Sequence, residues 1–431
     1  MMADSTYEQA LVNFRVVVVG TGIGGLSTAV ALANRGHSVL VLESTPKLLH
    51  VGAGVALPPP TRKWFESEGV LQIDDPVCVP WDGIEIRKWD SGDVVIQTAS
   101  NPLGKQTAIH HGDLQLALLA RAQQLEHKIE IRLGVRVAGV DLSTSPNAVI
   151  LANGERIQGD LIIAADGVKS TLKSKICPPE ASKPTSTGEA AYRFTLPREL
   201  LASDEELLSL VDRPWGIRWD GPDAHVVAYP LRGHKLLNLV LIHPDDGQAA
   251  ESWTTVSDKK NVIADFQGWN STLTKLIGLA PSAIPNFRMF LYPPAPVWVK
   301  GSTILLGDAC HAMLPYLGQG VAQAVEDATA ISAVLSAVKN KEQLPFALWA
   351  YQVSRKERVD QIQAATYKAR EKLHLKDGAA QAARDLERKA AAEKNQNTDV
   401  SKMQQAYWAW DAAKVATTAL TERIAAMGAS S

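Results

Sequence analysis

The most constraining feature of this chain is a glycine-rich turn, Gly20-Thr21-Gly22-Ile23-Gly24-Gly25, set between a β-branched run and an Ala-rich helical stretch. Phe14 to Val19 has the pattern of a parallel strand buried on both faces. Leu26 to Arg35 follows with helical character and Ser38 to Leu42 supplies a second buried strand, so the segment spells one βαβ unit. Within it Gly20 permits the tight turn, Gly22 lets backbone approach a pyrophosphate, and Gly25 allows close helix–strand packing. The helix start adds unpaired N–H groups and positive potential for phosphates. Glu43 ends the second strand, where a carboxylate accepts from both hydroxyls of an adenosine ribose. On these residues alone NAD and FAD are both admissible.

With 431 residues, 46% hydrophobic and 21% charged, the chain is an ordinary globular sequence with room for two or three domains. A net charge of -2 argues against a dedicated nucleic-acid surface. Cys78, Cys177 and Cys310 lack CxxC spacing, which removes support for a disulfide framework or a zinc site and favours a reducing compartment. The adjacent pair His110 and His111 points to opposite faces of an extended chain, which disfavours a metal pair. The first dozen residues lack the basic and apolar regions of a secretory signal, and no apolar run reaches the roughly 18 residues of a membrane span. These features predict a cytoplasmic protein.

Further along, helices are expected at Thr61 to Glu68, after prolines 58 to 60, and at Gly112 to Leu125, followed by a strand over Ile129 to Val137. Ala148 to Leu151 with Asn153-Gly154 reads as a hairpin, and Asp160 to Ala165 and Ser302 to Leu306 as further buried strands. Between about residues 185 and 290 the pattern alternates, as in Glu189 to Leu196 and His225 to Leu231, which predicts an antiparallel sheet. Val321 to Val338 reads as a long helix behind the turn Gly318-Gln319-Gly320, and the last ninety or so residues as a helical tail. The amides at the Val321 end would face whatever sits on that turn, favouring a negatively charged group there. Pro315 would shape the adjoining wall.

Two later segments narrow the cofactor. Leu161 to Ser170 is a strand running into Asp166-Gly167, and Leu305 to Pro315 a strand running into Gly307-Asp308. In this order the chain resembles the group A, single-component flavoprotein monooxygenases with the p-hydroxybenzoate hydroxylase fold, within them the salicylate-hydroxylase-like branch that includes fungal secondary-metabolism enzymes. GTGIGGL at Gly20, GAGV at Gly52, IHHGDL at Ile109, AADG at Ala164, GDACHAMLPYLGQG at Gly307 and HLKDGAAQAARD at His374 carry the resemblance over nearly the whole chain.

The resemblance implies an α/β fold: a Rossmann-like, glutathione-reductase-type FAD-binding domain, an inserted antiparallel-sheet substrate domain and a helical C-terminal tail. The expected divisions are 12–80, 100–184 and 288–340 for FAD binding, 81–99 and 185–287 for substrate, and 341–431 for the tail. It assigns Asp308 to the flavin ribityl chain, Asp166 and Gly167 to FAD and the NAD(P)H path, and Glu43, Gly54, Ala56 and Val321 to further FAD contacts. His111 stands where the family usually has an arginine that touches the cofactor, and histidine is shorter and only partly charged near neutral pH.

Arg193 faces opposite to Tyr192 and Phe194 by the period of two, and a guanidinium on an apolar sheet face calls for an anion. The resemblance matches Arg193 and Tyr229 to residues that orient the substrate; His225 and His311 have weaker claims, His311 reading as a structural part of the Gly307-Asp308 turn. The implied activity uses NAD(P)H and molecular oxygen to hydroxylate an aromatic, phenolic molecule through a flavin 4a-hydroperoxide. Alternatives are an indole or alkene epoxidase of the same family and a redox-silent flavin-binding module.

Overall fold

A computed structural model describes residues 8–48, 52–99, 103–245, 255–393 and 399–428. The first seven residues, which enter the reading of the N-terminus, and the division expected at residue 100 lie outside them. The strands Arg15–Val19, Ser38–Leu42 and Leu161–Ala164 pair in parallel, with Val17 opposite both Leu40 and Ile162. Thr303–Leu305 and Ile129–Arg132 extend the same sheet on either side, and the short strand Val299–Lys300 closes one edge, six strands in all. Val16, Val18 and Ile163 are buried as a two-sided parallel sheet requires. The helix Ile23–Asn34 follows the glycine turn and packs against the helices His111–Gln124 and Gly320–Ala337.

A second sheet has eight strands, in the order Val256–Asp258, Ala283–Leu291, Thr185–Pro197, Leu236–Pro244, Ala224–Leu231, Trp215–Gly221, Gly83–Lys88, Val94–Ala99. It has its own core, in which Trp219, Leu239 and Leu241 are fully buried. The sheet departs from the antiparallel expectation at one pair: Trp215–Gly221 runs parallel to Gly83–Lys88. No hairpin joins these two segments, so nothing in the local sequence sets their relative direction.

Two boundaries also differ. Helix Pro59–Ser67 contains two of the three prolines at its start, because a first-turn residue needs no N–H and proline presets its φ. The single strand expected over Ile129 to Val137 is two, Ile129–Arg132 in the six-stranded sheet and Val137–Asp141 in a three-stranded one, separated by Gly134 at φ 72°. The hairpin continues from Ala148–Leu151 into Arg156–Gln158, and the tail forms helices Leu344–Leu373, Ala379–Glu393, Asp399–Trp408 and Ala412–Gly428. Among the described residues no helix is long and apolar enough to cross a membrane.

Glu85 ties the parallel pair of strands together. Burial alone would raise its carboxyl, but hydrogen bonds from Arg213 and Gln97, together with Arg87, pull it down to about 2 from an ordinary 4.5. A depressed folded-state pKa means that this stabilisation is complete above 4.5 and is lost as pH falls towards 2. Glu85→Gln should therefore flatten the acid limb of the stability curve in that window, measured by urea unfolding at stepped pH; an unchanged limb contradicts the assignment.

Candidate active site

One cavity of about 1710 Å³ runs from the glycine turn to the face of the eight-stranded sheet. Gly22 and Gly25 line one end, beside Gly54, Ala56 and His111. Asp166, Asp308 and Val321 line the adjoining wall, and Arg193 and Tyr229 the sheet end. Gly20 and Glu43 lie behind this lining. A Cβ on Gly20, at φ 106°, would sit 2.4 Å from the Ala165 carbonyl oxygen, and one on Gly25 2.2 Å from that of Gly20. Both positions therefore demand glycine. A Cβ on Gly22 would meet nothing within 4 Å, so its backbone is open to a ligand.

Glu43 accepts from the Thr21 amide at 3.0 Å and hydroxyl at 2.7 Å, and from the Thr45 amide at 2.8 Å. Burial raises its carboxyl, but these bonds outweigh that effect and hold it below the ordinary range, so it is an ionised acceptor beside the turn. The Asp166 carboxylate accepts from the Ser170 hydroxyl at 2.6 Å and the Thr171 amide at 2.9 Å, so it caps its own loop. His111 opens the helix His111–Gln124, its amide donating to the Ala53 carbonyl at 3.0 Å. Burial raises the Asp308 carboxyl, against the opposing pull of His311 and His111.

The residues fit FAD. Two helices, Ile23–Asn34 and Gly320–Ala337, begin at this cavity without a side-chain cap, leaving their first-turn amides for whatever fills it. One set lies at the pyrophosphate turn. The other follows Pro315–Leu317, where a ring that carries negative charge when reduced would be stabilised.

What holds the Gly307-Asp308 turn lies outside every motif named above. The carboxylate of Asp327, fully buried, accepts from His311 Nε2 at 2.6 Å, the Gly307 amide at 3.0 Å and Arg355 Nε at 2.9 Å. Arg355 is itself fully buried and also reaches Gln323 and Glu326. His311 is thus part of the turn's support, in keeping with its structural reading. The available signal was an acidic pair, Glu326-Asp327, inside an otherwise apolar helix.

Arg193, Ala191 and Glu189 share one face of the strand Thr185–Pro197, while Tyr192 and Phe194 enter the sheet core. Arg193 and Val227 both pair with Val240 from opposite sides, and Tyr229 is two residues beyond Val227 on the same face. The Arg193 guanidinium lies 5.7 Å from the Phe287 ring centre, and its buried Nε has no hydrogen-bond partner among the described residues. Burial pushes the Tyr229 phenol up, opposed by Arg193. Tyr229 packs on Trp81, with ring centres 4.9 Å apart, and on the backbone of Gly54, whose amide donates to Asn238 Oδ1 at 2.9 Å. A Cβ on Gly54 would lie 2.4 Å from the Tyr229 ring. Gly54→Ala should therefore displace Tyr229 and weaken both flavin retention and turnover; wild-type values for both would contradict this contact.

Residues 13–201 and 288–366 match the family model described as FAD binding domain. The chain belongs to this family. It is 72% identical over 423 residues to the FAD-dependent monooxygenase atnJ of Arthrinium sp, covering 98% of this chain and 100% of that one. It is 30% identical over 389 residues to the 3-hydroxybenzoate 6-hydroxylase 1 of Aquipseudomonas alcaligenes, covering 85% and 91%. The fold is similar to that of a salicylate hydroxylase substrate complex, with a TM-score of 0.77 at 23% identity over 94% of this chain and 98% of the other. This family member is an FAD-dependent monooxygenase, and the redox-silent alternative falls away.

Proposed function

We propose that the chain uses NAD(P)H and molecular oxygen to hydroxylate an aromatic small molecule through a phenolic group held between Arg193 and Tyr229. The observation that carries this reading is Arg193, a guanidinium on an apolar cavity wall with no acidic partner among the described residues. Such a group stabilises a phenolate or a developing oxyanion, and its low-dielectric surroundings strengthen the effect. The name of the bacterial relative, a hydroxybenzoate hydroxylase, supports a phenolic substrate.

Gly22, Gly25, Glu43, Gly54, Ala56, His111, Asp166, Asp308 and Val321 would hold the cofactor, with Gly20 shaping the turn beneath. When bound, FAD supplies electron acceptance from NAD(P)H and activation of dioxygen. The chain's own residues position the aromatic ring, exclude water with the apolar walls and stabilise negative charge at Arg193. The reading keeps the three-part division of the chain. It also keeps a cytoplasmic location, which the three cysteines support, all of them outside disulfides.

Tyr229→Phe removes one hydrogen bond to a charged oxygen and should lower kcat/KM by about 10- to 100-fold. Substrate-stimulated NAD(P)H oxidation measures it, and a wild-type rate would remove Tyr229 from the site.

A further inference from the structure

The sheet face that carries Arg193 presents a second guanidinium to the same cavity. Arg193 pairs with Val240, Val240 with Val227 and Val227 with Arg218, so the four stand in one row across neighbouring strands and share a face. Three strand spacings separate the two arginines, about 14 Å along the row. Val240 and Val227 line the cavity between them and give it an apolar floor. The tail helix Ala379–Glu393 reaches the Arg218 end, where its Arg384 and Arg388 also line the cavity. Ala383 and Glu387 of that helix are exposed and line it too, so this end is the cavity's mouth.

A single carboxylate fixes Arg218 and Arg388. Asp220, two residues beyond Arg218 and opposite His225 on the next strand, is buried. Its Oδ1 accepts from Arg218 Nε at 2.6 Å, and its Oδ2 from Arg218 Nη2 at 3.1 Å and Arg388 Nη1 at 2.8 Å. Burial would raise this carboxyl, but Arg218 and Arg388 hold it far below the ordinary range, so it is ionised. One negative charge therefore faces two positive ones. Arg384 is held separately, its Nε donating to Asp385 at 2.9 Å, and Lys372 and Glu387 at the rim carry opposite charges. Burial, opposed by Asp220, and the nearby charges of Arg218 and Arg384 pull Arg388 below the usual guanidinium value, the mark of cations pressed together. Arg218 Nη1 and Arg388 Nε and Nη2 have no hydrogen-bond partner among the described residues.

We infer that Arg218 and Arg388 form a receptor for a carboxylate that the substrate carries at the end remote from its reacting ring. The inference rests on the phenolic substrate proposed above, whose oxygen meets Arg193. The unpartnered N–H groups of two guanidiniums suit the paired oxygens of a carboxylate, and the incoming charge relieves the repulsion between Arg218 and Arg388. Asp220 holds the Arg218 guanidinium over its own strand, so a carboxylate attached directly to the ring at Arg193 does not span the row. The substrate class is therefore an elongated aromatic acid, a phenol and a carboxylate joined by an apolar spacer that lies over Val240 and Val227. Its ring enters first and its acid stays at the mouth.

The test titrates FAD-loaded protein with straight-chain acids that end in a 4-hydroxyphenyl group, of increasing length and each beside its methyl ester, with binding read from the flavin difference spectrum. Once the chain spans the row, the acid should bind about tenfold more tightly than its ester, and the shortest acid should show no preference. Arg388→Gln should bring the long acid's preference close to one, and Arg388→Lys, which keeps the charge without the fork, should retain part of it. In the wild type, raised salt should erode the preference as well. Equal binding of acid and ester at every length overturns the receptor, as does a preference already complete in the shortest acid or one that survives Arg388→Gln. If no phenol binds, the phenolic reading fails instead, and octanoate, which has no ring, decides the receptor by calorimetry. Octanoate binding that Arg388→Gln removes supports it; no binding to the wild type, or binding that the substitution leaves unchanged, ends it.

Discussion

Asp327→Ala should destabilise the folded protein by about 3–5 kcal/mol and release its FAD, because it takes from the fully buried Arg355 guanidinium the one of its two carboxylate partners that is itself fully buried. The same change frees His311 and the Gly307 amide, which together fix the turn presenting Asp308 to the cavity. Urea unfolding and flavin fluorescence after gel filtration measure the two effects. Removing both charges with apolar residues of similar volume, as in Asp327→Leu with Arg355→Met, should recover part of the stability without restoring flavin binding, since the turn stays unsupported. Wild-type stability in Asp327→Ala would mean that Glu326 alone neutralises Arg355.

Arg193→Ala should lower kcat/KM by about 100- to 1000-fold while leaving FAD bound. The basis is position: Arg193 stands on the sheet face away from the glycine turn, and strand parity turns its positive charge towards the cavity. Arg193→Lys should recover little, because an ammonium lacks the planar fork and packs poorly over the Phe287 ring. Steady-state NAD(P)H oxidation and the flavin spectrum separate the two functions; loss of flavin together with activity would move Arg193 to the cofactor site.

Much of the cofactor end was legible because its signals are local. The glycine turn, the two β-branched runs and the helix between them fall within one βαβ unit, and strand parity alone placed Arg193 opposite Tyr192. What could not be read depends on contacts between distant segments. The parallel pairing of Gly83–Lys88 with Trp215–Gly221 has no hairpin to announce it, and the His374–Glu189 contact joins the tail to the inserted sheet. Glu189 was accessible to the same parity argument as Arg193, two rows along, but its partner was not. Asp166 shows the converse: its motif placed the loop at the cavity, while the carboxylate caps the loop through Ser170 and Thr171.

On the proposed function, this cavity inserts one oxygen atom from dioxygen into an aromatic ring held at Arg193. The decisive experiment is turnover of a panel of phenols by the FAD-loaded protein with NAD(P)H under oxygen-18 gas, followed by mass spectrometry of the products. The expected result is a hydroxylated product carrying one labelled oxygen, formed with a kcat/KM that Arg193→Ala lowers by about 100- to 1000-fold. Unlabelled product, or NAD(P)H oxidation that no phenol stimulates, would contradict it.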